Sequence, residues 1–155
     1  MAGALAGRVP GLDVVDRGDT ILDSMYDDHY GALVRIATLL VQDAATAEDI
    51  TQAAFARISI RRWMRNPAVR AAYLRHAVVS GARAAHRRPV TTRRSGLGDI
   101  PVLVMLRSLP SRQREALVLR YYANLSEAEA AAAMGVTRGA LRRHAARGLA
   151  AAGDL

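Results

Sequence analysis

Arg138, Arg142, Arg143 and Arg147 fall within ten residues of one another, on a segment whose apolar residues Leu141, Ala145 and Leu149 recur at helical spacing. A guanidinium is a planar fork of donors that never loses its charge at ordinary pH, suited to phosphate oxygens and to the acceptor edge of guanine. The chemistry that such a stripe performs is recognition of a polyanion. The preceding residues say how it would be held. In SEAEAAAAMGVTRGALRRHAAR, Ser126 and Glu129 have the S-x-x-E spacing of a capping box at the start of one short helix. Gly135 supplies the left-handed residue that ends that helix, and Thr137 caps the next. Two helices around a Met134-Gly135-Val136 turn, the second carrying the arginines, outline a DNA-reading helix-turn-helix. On this tract alone a plain surface hairpin with solvated arginines is the competing reading.

The charge distribution extends the argument along the chain. All 22 basic residues are arginine, against 14 acids. Residues 1–55 carry a net −6, residues 56–94 hold 11 arginines and no acid, and residues 95–155 carry +3. An acid-free basic block interleaved with apolar residues points to a polyanion partner and away from a disordered tail. The chemistry of an enzyme is not in evidence. There is no Gly-rich phosphate loop and no Ser-His-Asp spacing; His29 beside Asp27 and Asp28 reads as a solvated helix face. Cysteine is absent, and His29, His76, His86 and His144 are scattered without ligand spacing, so neither a metal nor another cofactor is expected. Residues 1–10 do not form a signal peptide, and no apolar run reaches the length of a membrane span. A cytoplasmic protein without a membrane partner is expected.

These residues need elements to position them. Residues 1–19, rich in Gly and Asp, read as a mobile leader. Helical spacing then predicts helices over about 20–41, 47–64 and 68–87, with Ile50, Ala54, Ile58 and Trp63 inward on the second. On the third, Leu74, Ala77, Val78, Gly81 and Ala85 face one side. His76, Ser80, Arg83 and Arg87 form a stripe on the other. Residues 89–99 read as a linker spanning at most about 36–40 Å when extended. A short helix over 101–108 follows, then one capped by Ser111 that runs to about Tyr122 with Leu117, Val118 and Tyr121 inward, then the helix-turn-helix. Nothing reads as a strand. The expected fold is all-α: two small helical bundles, residues 20–88 and 100–155, joined by a short linker, the second a helix-turn-helix domain.

With both halves laid out, the sequence resembles the extracytoplasmic-function sigma factors of the sigma-70 family, which direct bacterial RNA polymerase to promoters. The run LPSRQREALVLRYYANLSEAEAAAAMGV followed by TRGALRRHAARGL is similar to the family's domain for the promoter −35 element. HYGALVRIATLLVQDAATAEDITQAAFARI is similar to its polymerase-binding helices, and AYLRHAVVSGARAAHRR to its −10 and melting helix. The resemblance implies that residues 20–88 bind polymerase and the −10 element, and that residues 100–155 read the −35 element. It implies core RNA polymerase and promoter DNA as partners, with an anti-sigma protein as a further candidate. Asp49, Gln52, Ala53 and Ala56 would dock on polymerase. Arg61, Arg62, Trp63, Arg65, His76, Ser80, Arg83 and Arg87 would hold the −10 element and the melted strand. For Trp63 the alternatives are base stacking and a place in the core. Arg112, Arg114, Thr137, Arg138, Arg142, Arg143 and Arg147 would serve the −35 element, Arg112 and Arg114 as backbone grips. Ala130 and Ala145 stand where the family carries larger aliphatics, which predicts an underfilled core. Two other functions fit the same residues: a sigma-derived DNA-binding regulator acting without polymerase, and a decoy module that does not read DNA.

Overall fold

A computed structural model describes residues 13–61, 63–87 and 100–154 together with Gly98; for residues 13–22 it describes the helical backbone alone. The described residues form seven α-helices and no strand. They are α1 (Asp13–Val41), α2 (Ala44–Ile60), α3 (Pro67–His86), α4 (Pro101–Ser108), α5 (Ser111–Leu117), α6 (Glu127–Met134) and α7 (Arg138–Gly153). The chain is helical from Asp13, within the expected leader, and residues 1–12 lie outside the described residues. The expected linker lies largely outside them too.

Local capping fixes most helix starts. The Asp43 carboxylate accepts from the Thr46 amide at 3.0 Å and opens α2, and Asn66 accepts from the Ala68 amide at 2.9 Å to open α3, whose first residue is Pro67. Ser126 and Glu129 complete the reciprocal capping box. Gly135 sits at φ +67, and the Thr137 hydroxyl accepts from the Ala140 amide at 3.2 Å. Ser111 departs from expectation: it is the first residue of α5, Pro110 holds the cap position, and no side chain caps that end. Continuation of α5 also differs. Val118–Tyr122 form a π turn, with the Ala123 amide bonded to the Val118 carbonyl at 2.9 Å. The wider turn rotates the chain, so that Val118 and Leu119 are buried while Tyr121, expected inward, is exposed.

Two apolar clusters organise the helices. Met25, Leu33, Ala37, Ala47, Ala54, Phe55, Ile58, Leu74, Ala77 and Val78 form the core of α1–α3. Tyr26 stacks on Tyr30 at 4.3 Å between ring centroids and meets Phe55 edge-on at 5.2 Å. Thr51, fully buried in α2, donates its hydroxyl to the Ala47 carbonyl at 2.8 Å. The second cluster crosses between the halves. Ile36 and Leu40 of α1 and Val79 and Ala82 of α3 join Leu106, Leu109, Ala116, Leu117, Val118, Leu119, Ala130, Ala131, Ala133, Met134 and Leu141. The second half therefore packs on the faces of α1 and α3 that the first core leaves over. Ala130, expected to leave the core underfilled, is buried with Ala131 and Ala133, and α3 approaches α6 until the His76 Nδ1 lies 3.1 Å from the Ala133 carbonyl. On α7, Leu141 and Gly148 are buried whereas Leu149, expected inward, is exposed. A Cβ on Gly148 would stand 3.1 Å from Leu117, so glycine lets α5 and α7 close on each other there.

Candidate nucleic-acid interface

Three surfaces carry the residues expected to recognise partners. The first is the outer face of α2. Asp49, Gln52, Ala53 and Ala56 are all exposed, opposite the buried Ala54, Phe55 and Ile58. Two alanines keep the face low, so another helix can approach closely.

The second is the connection between α2 and α3. Trp63 is 71 % exposed, which corrects the inward placement expected on α2. The helix ends at Ile60, before the tryptophan, so Trp63 belongs to the loop and no helical face turns it inward. Ile60, at 82 %, and Val69 are exposed on either side of it. The loop is held from within. Arg70, itself buried, donates through Nε to the Met64 carbonyl and places a terminal nitrogen 3.6 Å from the Met25 sulfur. The Arg61 guanidinium lies 5.0 Å from the centre of the Tyr73 ring. Arg61 and Arg65 are exposed, and Arg62 lies outside the described residues. Neither the exposure of Ile60 and Val69 nor the buried tie of Arg70 is legible from spacing. Nothing in the sequence separates Arg70 from its exposed neighbours.

The third is the helix-turn-helix. Thr137, Arg138, Arg142, Arg143 and Arg147 are exposed along α7. Arg142 is bonded to Glu127 by Nε at 2.9 Å and by a terminal nitrogen at 2.7 Å. That pairing holds the Glu127 carboxyl below its ordinary range and raises Arg142. The amide of Ser126 does the same for Glu129. The turn between the helices touches the first half: the His76 ring lies 3.4 Å from where a Gly135 Cβ would stand.

Several residues expected to contact DNA have partners within the protein. Arg83 makes a two-pronged bond to the buried Glu115 carboxylate, Nε at 3.0 Å and a terminal nitrogen at 2.7 Å, and that terminal nitrogen lies 3.4 Å from the Met134 carbonyl. Arg112 shares Glu115 at 3.4 Å and donates to the same Met134 carbonyl at 2.9 Å. Ser80 Oγ lies 3.4 Å from His76 Nε2. Arg87 is exposed at the end of α3.

Arg114 requires the firmest correction. Expected to grip the DNA backbone, it is only 7 % exposed. It donates to the carbonyls of Leu106 at 2.7 Å, Leu40 at 2.9 Å, Leu109 at 3.1 Å and Arg107 at 3.2 Å, and lies 2.8 Å from the His86 ring nitrogen. Burial lowers its pKa. Its helix packs against α1 and α7, which turns this face of α5 inward. Gln42, a buried residue at φ +57, belongs to the same junction: it donates to the Leu103 carbonyl at 2.8 Å and accepts from Arg107 at 2.9 Å. Among the described residues no group of His, Asp and Glu could hold a metal ion, and no helix is long and apolar enough to cross a membrane.

Comparison with known proteins assigns the class of this assembly. Residues 100–151 match the family described as Sigma-70, region 4. The chain is 33% identical over 132 residues to the ECF RNA polymerase sigma factor SigC of Mycobacterium tuberculosis, covering 69% of this chain and 68% of that protein, and a sigma-C factor of Mycobacterium bovis aligns with the same figures. A solved structure titled "1.8 A structure of RsbN-BldN complex" is similar at 26% identity, covering 92% of this chain and 96% of that one with a TM-score of 0.35. The chain belongs to the extracytoplasmic-function sigma factors. It is a transcription initiation factor and not an enzyme.

Proposed function

We propose that the three surfaces divide the work of initiation along the chain. Residues 20–88 bind core polymerase through Asp49, Gln52, Ala53 and Ala56 and hold the −10 element at the α2–α3 connection. Residues 100–155 read the −35 element through Thr137, Arg138, Arg142, Arg143 and Arg147. The observation that carries this reading is the helix-turn-helix itself. Its capping box, left-handed Gly135 and Thr137 cap fix α7 as a rigid element, and its arginines project away from the buried Leu141. Such a helix suits the major groove, with the unpaired amides of its first turn available to a phosphate.

Trp63 supports the −10 assignment. An exposed indole flanked by Arg61 and Arg65 combines a stacking surface with phosphate donors, the two requirements for holding an unpaired strand. The Arg70 tie limits the loop's motion, so little order has to be gained on binding. The protein works in the cytoplasm, where polymerase and promoters are. Arg114 has no part in DNA contact in this reading.

Reconstitution with core polymerase tests it. The expected outcome is promoter-specific transcripts, lost on Arg138→Ala/Arg143→Ala with core binding retained, and lost together with core binding on Asp49→Ala/Gln52→Ala. Promoter binding without core by the Asp49→Ala/Gln52→Ala protein at full activity would favour a polymerase-independent regulator.

A further inference from the structure

We infer that Glu127 is a specificity-determining positioning residue: it holds the Arg142 guanidinium by one edge, keeps it off the phosphates, and leaves the other edge free to take a guanine in the major groove. The inference rests on the −35-reading role proposed above for α7.

Arg138, Arg142, Arg143 and Arg147 are all exposed on α7, and among the described residues Arg142 is the one that a carboxylate holds. That carboxylate belongs to the first residue of α6, the other helix of the motif. A single oxygen, Glu127 Oε2, accepts from Arg142 Nε at 2.9 Å and from Nη2 at 2.7 Å. A guanidinium carries five N–H donors in a flat fork. Engaging Nε and one Nη2 hydrogen occupies the edge beside the stem. Both Nη1 hydrogens and the second Nη2 hydrogen remain, and the edge they form is the pair of parallel donors that matches N7 and O6 of guanine. The Arg142 bond holds the Glu127 carboxyl below its usual range, with Arg120 and Arg138 adding to the effect, and Glu127 raises Arg142 in turn. Both partners therefore stay charged at neutral pH.

Glu127 has no part in capping the helix it starts. The capping box is completed by Ser126 and Glu129, and Glu129 also reaches Arg75 at 3.7 Å. The Glu127 and Arg142 side chains are 34 % and 65 % exposed, and an ion pair this open contributes little to fold stability. What it restricts is where a long, flexible side chain can go. A free guanidinium is drawn to the nearest phosphate, the contact that carries affinity without sequence information. Beside Glu127 it has a negative neighbour that repels phosphate and a set orientation before DNA arrives, so less order is lost when it meets a base. Its place in the helix suits that task. Arg142 lies four residues after Arg138, the first residue of α7, so the two share a face of the N-terminal half, the part of a recognition helix that meets base edges.

The test uses the full-length chain with core polymerase and a library of randomised promoter-length duplexes, bound, recovered and sequenced. Arg142→Ala should erase the guanine preference at one position of the −35 element. Glu127→Gln should reduce the preference at that same position by roughly tenfold and leave the other positions as they are. On a scrambled duplex Glu127→Gln should bind no worse than wild type, with the slope of log affinity against log salt steeper by about 1, as the released guanidinium finds a phosphate. Arg142→Lys keeps the charge without the fork, so it should lose the guanine preference too. Adding Glu127→Gln to Arg142→Ala should change nothing further. A guanine preference that survives Glu127→Gln but not Arg142→Ala would overturn the positioning role while leaving Arg142 as a reader. A loss spread evenly over all positions, with weaker binding to the scrambled duplex, would overturn it in favour of a structural role. If Arg142→Ala moved no position, the base-reading role of Arg142 would fail and take the inference with it.

Discussion

Arg114 and Arg138 are the same residue type in the same half of the molecule, 24 positions apart, and do opposite things. Arg114 spends its guanidinium on four carbonyls and a histidine inside the junction of α1, α4 and α5, whereas Arg138 opens α7 with its head in solvent. Arg83 lies between these extremes, partly exposed with its guanidinium paired to the buried Glu115 carboxylate. An arginine's role is set by what its helix packs against. Charge density along the sequence reports how much polyanion-binding capacity the chain owns, and packing decides how much of it is on offer.

The comparison can be broken most directly at Arg114. Arg114→Met should destabilise the fold by about 3 kcal/mol or more, since buried carbonyls from both halves lose their donor. Urea unfolding followed by circular dichroism measures this. Arg138→Ala should change stability by no more than about 0.5 kcal/mol. Its effect belongs in DNA affinity, a loss of about 1–3 kcal/mol for a base contact, with the slope of log affinity against log salt reduced by about 1 for a phosphate contact. If the two variants behaved alike in either assay, the distinction between buried staple and exposed reader would fail.

Trp63→Ala sharpens the contrast on the first half. It should weaken capture of single-stranded −10 DNA by the polymerase complex by about 1–3 kcal/mol, read by fluorescence anisotropy, with the melting temperature nearly unchanged. A core tryptophan would give the reverse. Gly135→Ala should cost about 1–2 kcal/mol in thermal unfolding, because an L side chain at φ +67 is strained.

The smallest effect is expected from acid. Glu127 is held below its usual pKa by Arg142, and Glu129 by the Ser126 amide. A carboxylate depressed in the folded state binds fewer protons than in the unfolded chain, so its contribution is full above the unfolded pKa and lost as pH falls through the folded one. Thermal scans should therefore show a mild decline in stability below about pH 4, near the ordinary carboxylate value, and Glu127→Gln/Glu129→Gln should flatten that part of the profile.

Much of the helix-turn-helix was legible because its signals are local. Ser126 with Glu129, Gly135 and Thr137 act within one turn, and each does in three dimensions what its spacing implies. The α2 face with Asp49 and Gln52 was readable for the same reason, apolar periodicity fixing its opposite side. The misreadings share a different cause. Leu149 yields to Gly148 because α5 approaches α7 too closely for a side chain. Tyr121 turns outward because a π turn inserts an extra residue into the period. Trp63 is exposed because α2 stops at Ile60.

By itself the sequence determined an all-helical chain, the positions of its caps, the segregated charge and the family to which the protein belongs, since these depend on neighbours a few residues apart. Only the tertiary structure decided which arginines face outward, that Glu115 anchors Arg83 and Arg112, and that one apolar cluster is shared by both halves. Burial and charge pairing are properties of surfaces brought together from distant parts of the chain, and no local pattern records which surface will meet which.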